Sequence, residues 1–188
     1  VSRGLGDVYK RQVQFVENPP EEFLQELLAG QNNTADWHAV CKSQPSANQL
    51  FKFKCASRGD EIACARYDAD IDKILLVRKR EACGIKPRND EQKFALDACL
   101  NPAIQLVSMT GGAGTGKNLL ALAAAIEQAK DFDQIILTRP TIVLGNQDIG
   151  FIPGDQKAKM SPFVQPLMDN LNVIKAQFRP SSKEALRI

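Results

Sequence analysis

Hydrophobic residues change their spacing along the chain, and the change predicts which segments form helices and which form strands. In residues 21–28 the apolar side chains recur with the period of an amphipathic helix. Apolar and polar residues alternate instead in residues 50–55 and 62–67, and a third apolar run follows at 74–77. Alternation is typical of half-buried strands, so these three runs predict a small antiparallel β meander.

The second half of the chain alternates helix and strand patterns. Asn89 can cap a helix that ends near Leu100. Residues 104–109 and 134–138 predict two strands, and residues 119–130 between them predict a helix that is apolar on nearly every side. This order predicts a βαβ unit with parallel strands. The predicted fold class is therefore α/β, with a partial parallel sheet preceded by the small antiparallel meander.

A long connection follows the second of these predicted strands. Glycine and proline interrupt it between Gly145 and Gly154. Ser161-Pro162 then offers an N-cap and a first-turn proline for a last helix, which Pro166 would delay or kink. A structureless connection of about 20 residues is unusual inside a compact domain and is often functional.

The first twelve residues are set apart from the fold. Residues 2–12 match, codon for codon, a reading frame through a transposon adapter used for sequencing libraries, so we expect residues 1–12 to be a translated adapter. Its three basic side chains and one acidic side chain account for the whole formal charge of +2. The remaining residues carry 21 basic and 21 acidic side chains. The charge therefore gives no evidence for a nucleic-acid partner.

Composition also excludes several kinds of protein. The five cysteines are an odd number without a C-x-x-C pair, and the chain has one histidine, so neither a disulfide framework nor a zinc site is predicted. Free thiols are typical of the cytosol. No apolar run approaches the ~18 residues of a membrane span. We expect a cytoplasmic protein with no membrane partner.

One glycine-rich stretch carries the clearest chemistry. It follows the strand predicted at 104–109 and opens the helix predicted at 119–130, the position of a phosphate-binding loop. Seven of its eight positions fit the pattern G-x-x-x-x-G-K-[ST], and the eighth holds Asn where the pattern has Ser or Thr. The eight residues are Gly111, Gly112, Ala113, Gly114, Thr115, Gly116, Lys117 and Asn118.

The residues of this loop have distinct expected roles. Gly114, Thr115 and Gly116 would donate backbone N–H groups to a phosphate. Lys117 would be the catalytic residue, an electrostatic anchor for the β- and γ-phosphates. The final hydroxyl of the pattern binds Mg²⁺, so Asn118 has three interpretations. Either Asn118 is a sequencing error, or it is a substitution whose amide oxygen approaches the metal directly or through water, or it abolishes metal binding.

Two further elements of an ATP site have weaker signals. A triphosphatase needs a carboxylate that holds the metal at the end of a later strand, the Walker B residue. The later strand pattern at 134–138 ends in Arg139 instead, so we expect that carboxylate to lie beyond this chain. Gln92, in the helix predicted at 89–100, could present its amide to an adenine edge, although a single glutamine is more often a surface residue.

Several separated stretches together resemble the PhoH-like ATPases. The resemblance runs from Gly84 to about Val173, roughly half of the chain. Its segment from Gly145 to Pro162 is specific, whereas a phosphate loop alone is generic. The matching stretches are GIKPRNDEQKFALDACL (84–100), GGAGTGKN (111–118), LTRP (137–140), GNQDIGFIPGDQKAKMSP (145–162) and PLMDNL (166–171).

The resemblance implies a P-loop core similar to superfamily 1 helicases, with ATP and Mg²⁺ as ligands and ATP hydrolysis as the activity. It also implies that Gln92 is the adenine-side glutamine. Residues 13–80 look like the helix and small β spacer that join a PIN ribonuclease domain to the core in longer members. Residues 84–188 look like the N-terminal part of the ATPase domain, truncated before the Walker B strand. For the complete protein, the family implies an RNA partner and a homo-oligomer.

The sequence is compatible with three functions. In the first, the chain is part of a PhoH-like ATPase whose complete parent couples ATP hydrolysis to RNA unwinding or processing, and the chain alone is inactive. In the second, Asn118 makes it a nucleotide-binding module without turnover. A third function, a small-molecule P-loop kinase, agrees less well with the long connection at 145–162.

Overall fold

The structure, a computed structural model, divides into two compact units, one up to Lys79 and one from Arg80 onward. The stretch interpreted as an adapter and the first part of the long connection, 139–155, lie outside the described residues. The first unit contains the β-sheet, and the second contains the glycine-rich loop. The described residues are 13–30, 32–55, 61–138 and 156–178.

The first unit forms a five-stranded sheet with one α-helix. Its elements are β1 (Gln14–Glu17), α1 (Glu21–Ala29), β2 (Thr34–Ala35), β3 (Leu50–Cys55), β4 (Glu61–Asp68) and β5 (Lys73–Leu76). The strand order is β1-β3-β4-β5-β2, in which β1 and β3 are parallel and the other pairs are antiparallel. The predicted meander, β3 to β5, and the mixed α/β class are confirmed. Strands β1 and β2 are too short to show alternation in the sequence.

The core of this unit follows from the alternation in β3. Phe51 and Phe53 lie on the face that packs against α1, and each is at most 1% exposed. The Phe53 ring contacts Phe23 of α1, with 5.0 Å between ring centroids. Tyr67 of β4 is buried in the same cluster. Burial of each large side chain stabilises the fold by about 2–3 kcal/mol, so this face holds the unit together.

The described part of the second unit contains three α-helices. They are α2 (Asp90–Cys99), α3 (Lys117–Glu127) and α4 (Gln156–Lys175). Leu96 of α2, Leu120 of α3 and Ile174 of α4 are buried in one cluster. The helices predicted at 89–100 and 119–130 are confirmed, and α3 begins two residues earlier than predicted.

The two strands predicted in this unit are wrong. Residues 104–109 and 134–138 form neither strands nor helices. Leu106 is 88% exposed and Ile136 is 74% exposed. An apolar run becomes a strand when a neighbouring strand accepts its backbone hydrogen bonds. Within the described residues, no strand pairs with either run.

Helix α4 also differs from its prediction. It begins at Gln156, five residues before the predicted cap at Ser161, and continues through Pro162 and Pro166. A proline removes one backbone donor from a helix, and an N-cap contributes only about 1 kcal/mol, so neither signal fixed the start of the helix. In the described residues, no helix is both long enough and apolar enough to span a membrane.

Candidate functional site

The glycine-rich loop leads directly into α3. Gly114 has a φ of 74° and Gly116 has a φ of 85°, a left-handed conformation that glycine adopts without strain. Gly116 is the N-cap of α3, so the loop ends where the first backbone N–H groups of the helix have no intrahelical partner. A Cβ atom at Gly112 or Gly114 would meet no atom within 4 Å. The loop therefore has open space beside its backbone, as a phosphate cradle requires.

The Lys117 side chain folds back over this loop. Its ammonium Nζ donates to the carbonyl oxygens of Gly111 and Gly112, at 2.8 Å and 2.5 Å. It also donates to the Thr115 hydroxyl at 3.1 Å, and that hydroxyl donates in turn to the Gly112 carbonyl at 2.9 Å. Three loop oxygens thus fix the position of the positive charge. An anion bound in the loop would meet a cation that is already in place.

Helix α2 brings Gln92 to the same loop. Asn89 caps α2, because its Oδ1 accepts the Gln92 backbone N–H at 2.9 Å. The Gln92 side chain then makes two contacts: its Oε1 accepts the Arg88 backbone N–H at 2.8 Å, and its Nε2 donates to the Thr115 carbonyl at 3.1 Å. The structure therefore places Gln92 beside the glycine-rich loop. The contact spans 23 residues, and the spacing of residues in the sequence gives no signal of it.

Asn118 is the second residue of α3 and is exposed. In nucleotide sites, Mg²⁺ is held by one or two protein oxygens together with water and the phosphate oxygens of the nucleotide. A single amide oxygen from Asn118 could therefore help to hold Mg²⁺ only when a nucleotide supplies the phosphate oxygens. The described residues contain no group of three or more His, Cys, Asp or Glu side chains that could hold a metal. The loop thus fits a phosphate well and offers little to a metal by itself.

A tight turn supports the other end of α3. Ala82 and Ile85 form an isolated antiparallel bridge around Cys83 and Gly84, both with positive φ. The Cys83 backbone N–H donates to a Glu127 carboxylate oxygen at 2.6 Å, near the end of the helix. Burial, and then the Glu127 carboxylate, raise the pKa of the Cys83 thiol to about 11. The turn therefore fastens the start of the unit to the helix that carries Lys117.

A glycine loop that ends in a lysine at the start of a helix, within a mixed α/β chain, is typical of the P-loop class of proteins. Residues 84–183, more than half of the chain, match the family described as PhoH-like protein. The chain belongs to the PhoH-like family, the matched residues lie in its second unit, and the mixed α/β fold is consistent with a partial P-loop NTPase-like domain.

Curated relatives show the same likeness. Protein PhoH2 of Bacillus subtilis (strain 168) is 33% identical over 145 residues, which cover 76% of this chain and 33% of the relative. Protein PhoH2 of Mycolicibacterium smegmatis is 40% identical over 117 residues, or 60% and 26% of the two chains. Protein PhoH of Escherichia coli (strain K12) is 39% identical over 104 residues, or 54% and 28%. The chain thus spans about a third or less of these relatives, and no solved structure matches it.

Proposed function

We propose that the chain binds ATP through the loop from Gly111 to Asn118. The observation that carries the proposal is the Lys117 ammonium, held at 2.5 Å and 2.8 Å from two loop carbonyls. A β- or γ-phosphate is a stronger partner for an ammonium than a neutral carbonyl, so it would take over these contacts. The backbone N–H groups of Gly114, Thr115 and Gly116, at the positive end of α3, would add donors to the same phosphates.

The proposal assigns adenine to Gln92. An amide side chain has two N–H donors and an oxygen with two lone pairs. Gln92 uses one N–H for the Thr115 carbonyl and one lone pair for the Arg88 N–H. One donor and one acceptor remain, which is the pattern that pairs with the N7 and N6 positions of adenine. Guanine presents an acceptor at both positions, so we expect ATP to bind more tightly than GTP.

The proposed ATP would bring Mg²⁺ with its phosphates, where the ion neutralises negative charge and assists phosphoryl transfer. Asn118 is the loop residue that could contribute an oxygen to it. We propose that the complete parent is an ATPase that couples hydrolysis to RNA unwinding or processing, as a cytoplasmic homo-oligomer. The support is family membership and, for the cytoplasm, a sequence of five cysteines without a C-x-x-C pair. In this proposal, residues 13–80 are a spacer that follows a PIN domain.

The alternative is nucleotide binding without turnover, and Asn118 is the observation that favours it. The two proposals divide on one substitution, Asn118→Thr, made in the complete parent protein. If the parent is an ATPase as it stands, it hydrolyses Mg-ATP before the substitution. If Asn118 blocks turnover, Asn118→Thr creates hydrolysis that the unchanged protein lacks.

The hydrolysis assay is run with and without single-stranded RNA, and phosphate release is measured. If both forms hydrolyse ATP, and at equal rates, the binding-only alternative is overturned. A parent that hydrolyses no ATP in either form, with or without RNA, would overturn the ATPase proposal. Lys117→Ala weakens nucleotide binding at least tenfold under both proposals and does not separate them.

A further inference from the structure

We infer that Gln92 is a positioning residue that holds the phosphate loop in its binding conformation, through the Thr115 carbonyl, independently of any contact with a base. The inference rests on the proposed nucleotide-binding function. It adds a role for Gln92 toward the phosphates, which an adenine contact alone does not require.

The orientation of the Gln92 amide is fixed by its two partners. The Arg88 backbone N–H can only donate, so the atom 2.8 Å from it is the side-chain oxygen. The Thr115 backbone carbonyl can only accept, so the atom 3.1 Å from it is the side-chain nitrogen. A reversed amide would lose both hydrogen bonds. Gln92 therefore ties the segment before α2 to the last turn of the loop in one defined orientation.

Thr115 transmits this contact to Lys117. Its carbonyl accepts from Gln92, while its hydroxyl accepts from the Lys117 ammonium and donates to the Gly112 carbonyl. Gly116 follows directly, and a Cβ atom there would lie 3.1 Å from the Gln92 nitrogen. The Gln92 amide thus packs against the loop at two consecutive residues. Without it, nothing else described would bind the Thr115 carbonyl, and the loop would lose the hydrogen bond that orients it.

Helix capping explains only one of the two hydrogen bonds made by the Gln92 side chain. Gln92 is three residues after the Asn89 cap, a position from which Gln or Glu side chains commonly accept a backbone N–H near the helix start. The Oε1 contact with Arg88 is of that kind. The Nε2 contact with Thr115 is not, because it leaves the helix and reaches another segment. Removing the cap and removing the loop contact are therefore separable.

The test uses a ligand that has no base. Inorganic tripolyphosphate and ATP are titrated separately into the chain and into Gln92→Ala, with dissociation constants measured by calorimetry. If Gln92 positions the loop, the substitution weakens both ligands by about tenfold, the effect of losing one hydrogen bond of ~1 kcal/mol or slightly more. Asn89→Ala is the matched control, since it removes the cap of the same helix and leaves the Gln92 side chain. It should change tripolyphosphate binding by less than about twofold.

Thermal melting shows whether Gln92→Ala still folds. If it does not, a second variant provides the test. Gln92→Glu keeps an acceptor for the Arg88 N–H and loses the donor to Thr115, so it should melt like the unchanged chain and still bind tripolyphosphate weakly. Lys93→Gln lowers the net charge by the same amount at the next residue, and it measures how much of that loss is simple repulsion.

Three outcomes of these titrations decide whether Gln92 positions the loop. Weaker binding of both ligands to Gln92→Ala, beyond the effect of either control, supports the positioning role. Weaker binding of ATP alone overturns it and leaves the proposed function standing with Gln92 as a base contact. If the unchanged chain binds neither ligand, the proposed function fails, and the positioning role fails with it.

Discussion

The Cys83 thiol is buried beside Glu127, and this environment makes the stability of the fold depend on pH in the alkaline range. Burial and the nearby carboxylate raise the pKa of the folded thiol to about 11, whereas an unfolded thiol ionises near a pKa of ~8.5. The unfolded chain therefore loses this proton first as the pH rises. The stabilising contribution is complete below the unfolded pKa and is lost between the two values.

Between pH 7 and pH 10, Cys83 should account for a loss of about 2 kcal/mol in the free energy of unfolding. Urea unfolding of the chain and of Cys83→Ala at both pH values measures it. The stability advantage of the unchanged chain over the variant should shrink by that amount at pH 10. An advantage that does not change with pH would show that the thiol ionises alike in both states.

Individual site residues differ in how far the sequence predicts them. Lys117 and the glycines are predictable because their roles depend on neighbours within eight residues. The hydrogen bond between Gln92 and Thr115 is not predictable from spacing, because the loop and α2 meet only after the second unit folds. Gln92 is a predicted site residue through its resemblance to a family position, and the structure adds a contact, with the Thr115 carbonyl, that the resemblance did not name.

Helix α2 carries Gln92 in its first turn, after the cap at Asn89. Its Asn89 cap accepts the Gln92 backbone N–H at 2.9 Å, and Asp90 and Glu91 in the first turn complement the helix dipole. We expect Asn89→Ala to lower the free energy of unfolding by about 1 kcal/mol. Asn89→Ser, which keeps a capping oxygen, should lose little.

Thermal melting and urea unfolding of the two variants measure this difference. Equal losses for Asn89→Ala and Asn89→Ser would show that the cap does not hold the helix start. The prediction concerns the helix alone and holds whether or not the chain binds a nucleotide.

The helices and strands together show which sequence patterns are sufficient to predict an element. The alternation in β3 and β4 predicted strands correctly because these strands supply partners to each other along the chain. The apolar runs at 104–109 and 134–138 have equally strong patterns, but a strand of a parallel sheet depends on partners distant in the sequence. The start of α4 was missed because a local cap signal at Ser161 is a small term beside the packing of a whole helix.

At the scale of the whole molecule, the two runs at 104–109 and 134–138 carry several of the large apolar side chains that are exposed within the described residues. Leu106, Ile136 and Leu137 are 88%, 74% and 58% exposed. Extended apolar segments with unpaired backbone groups associate readily with other chains. We expect the chain to self-associate as its concentration rises, and a Leu106→Lys, Ile136→Lys double variant to stay monomeric at higher concentration.

Sedimentation velocity over a concentration series tests this expectation. The matched control is Ile71→Lys, which replaces a residue 52% exposed in the turn between β4 and β5 of the first unit. The control should associate like the unchanged chain. Association that is insensitive to the double variant, or equally sensitive to the control, would show that the two runs are not responsible.

In the proposed function, the loop from Gly111 to Asn118 binds nucleotide phosphates through Lys117. The most direct measurement is calorimetric titration of Mg-ATP into the chain and into Lys117→Ala, at equal protein concentration and with the fold of both confirmed by melting. We expect saturable binding at one site per chain, and a dissociation constant at least tenfold higher for Lys117→Ala, because a charge-assisted contact with phosphate is lost. Absence of binding to the unchanged chain, or equal binding by both, would show that Lys117 and its loop do not form a nucleotide site.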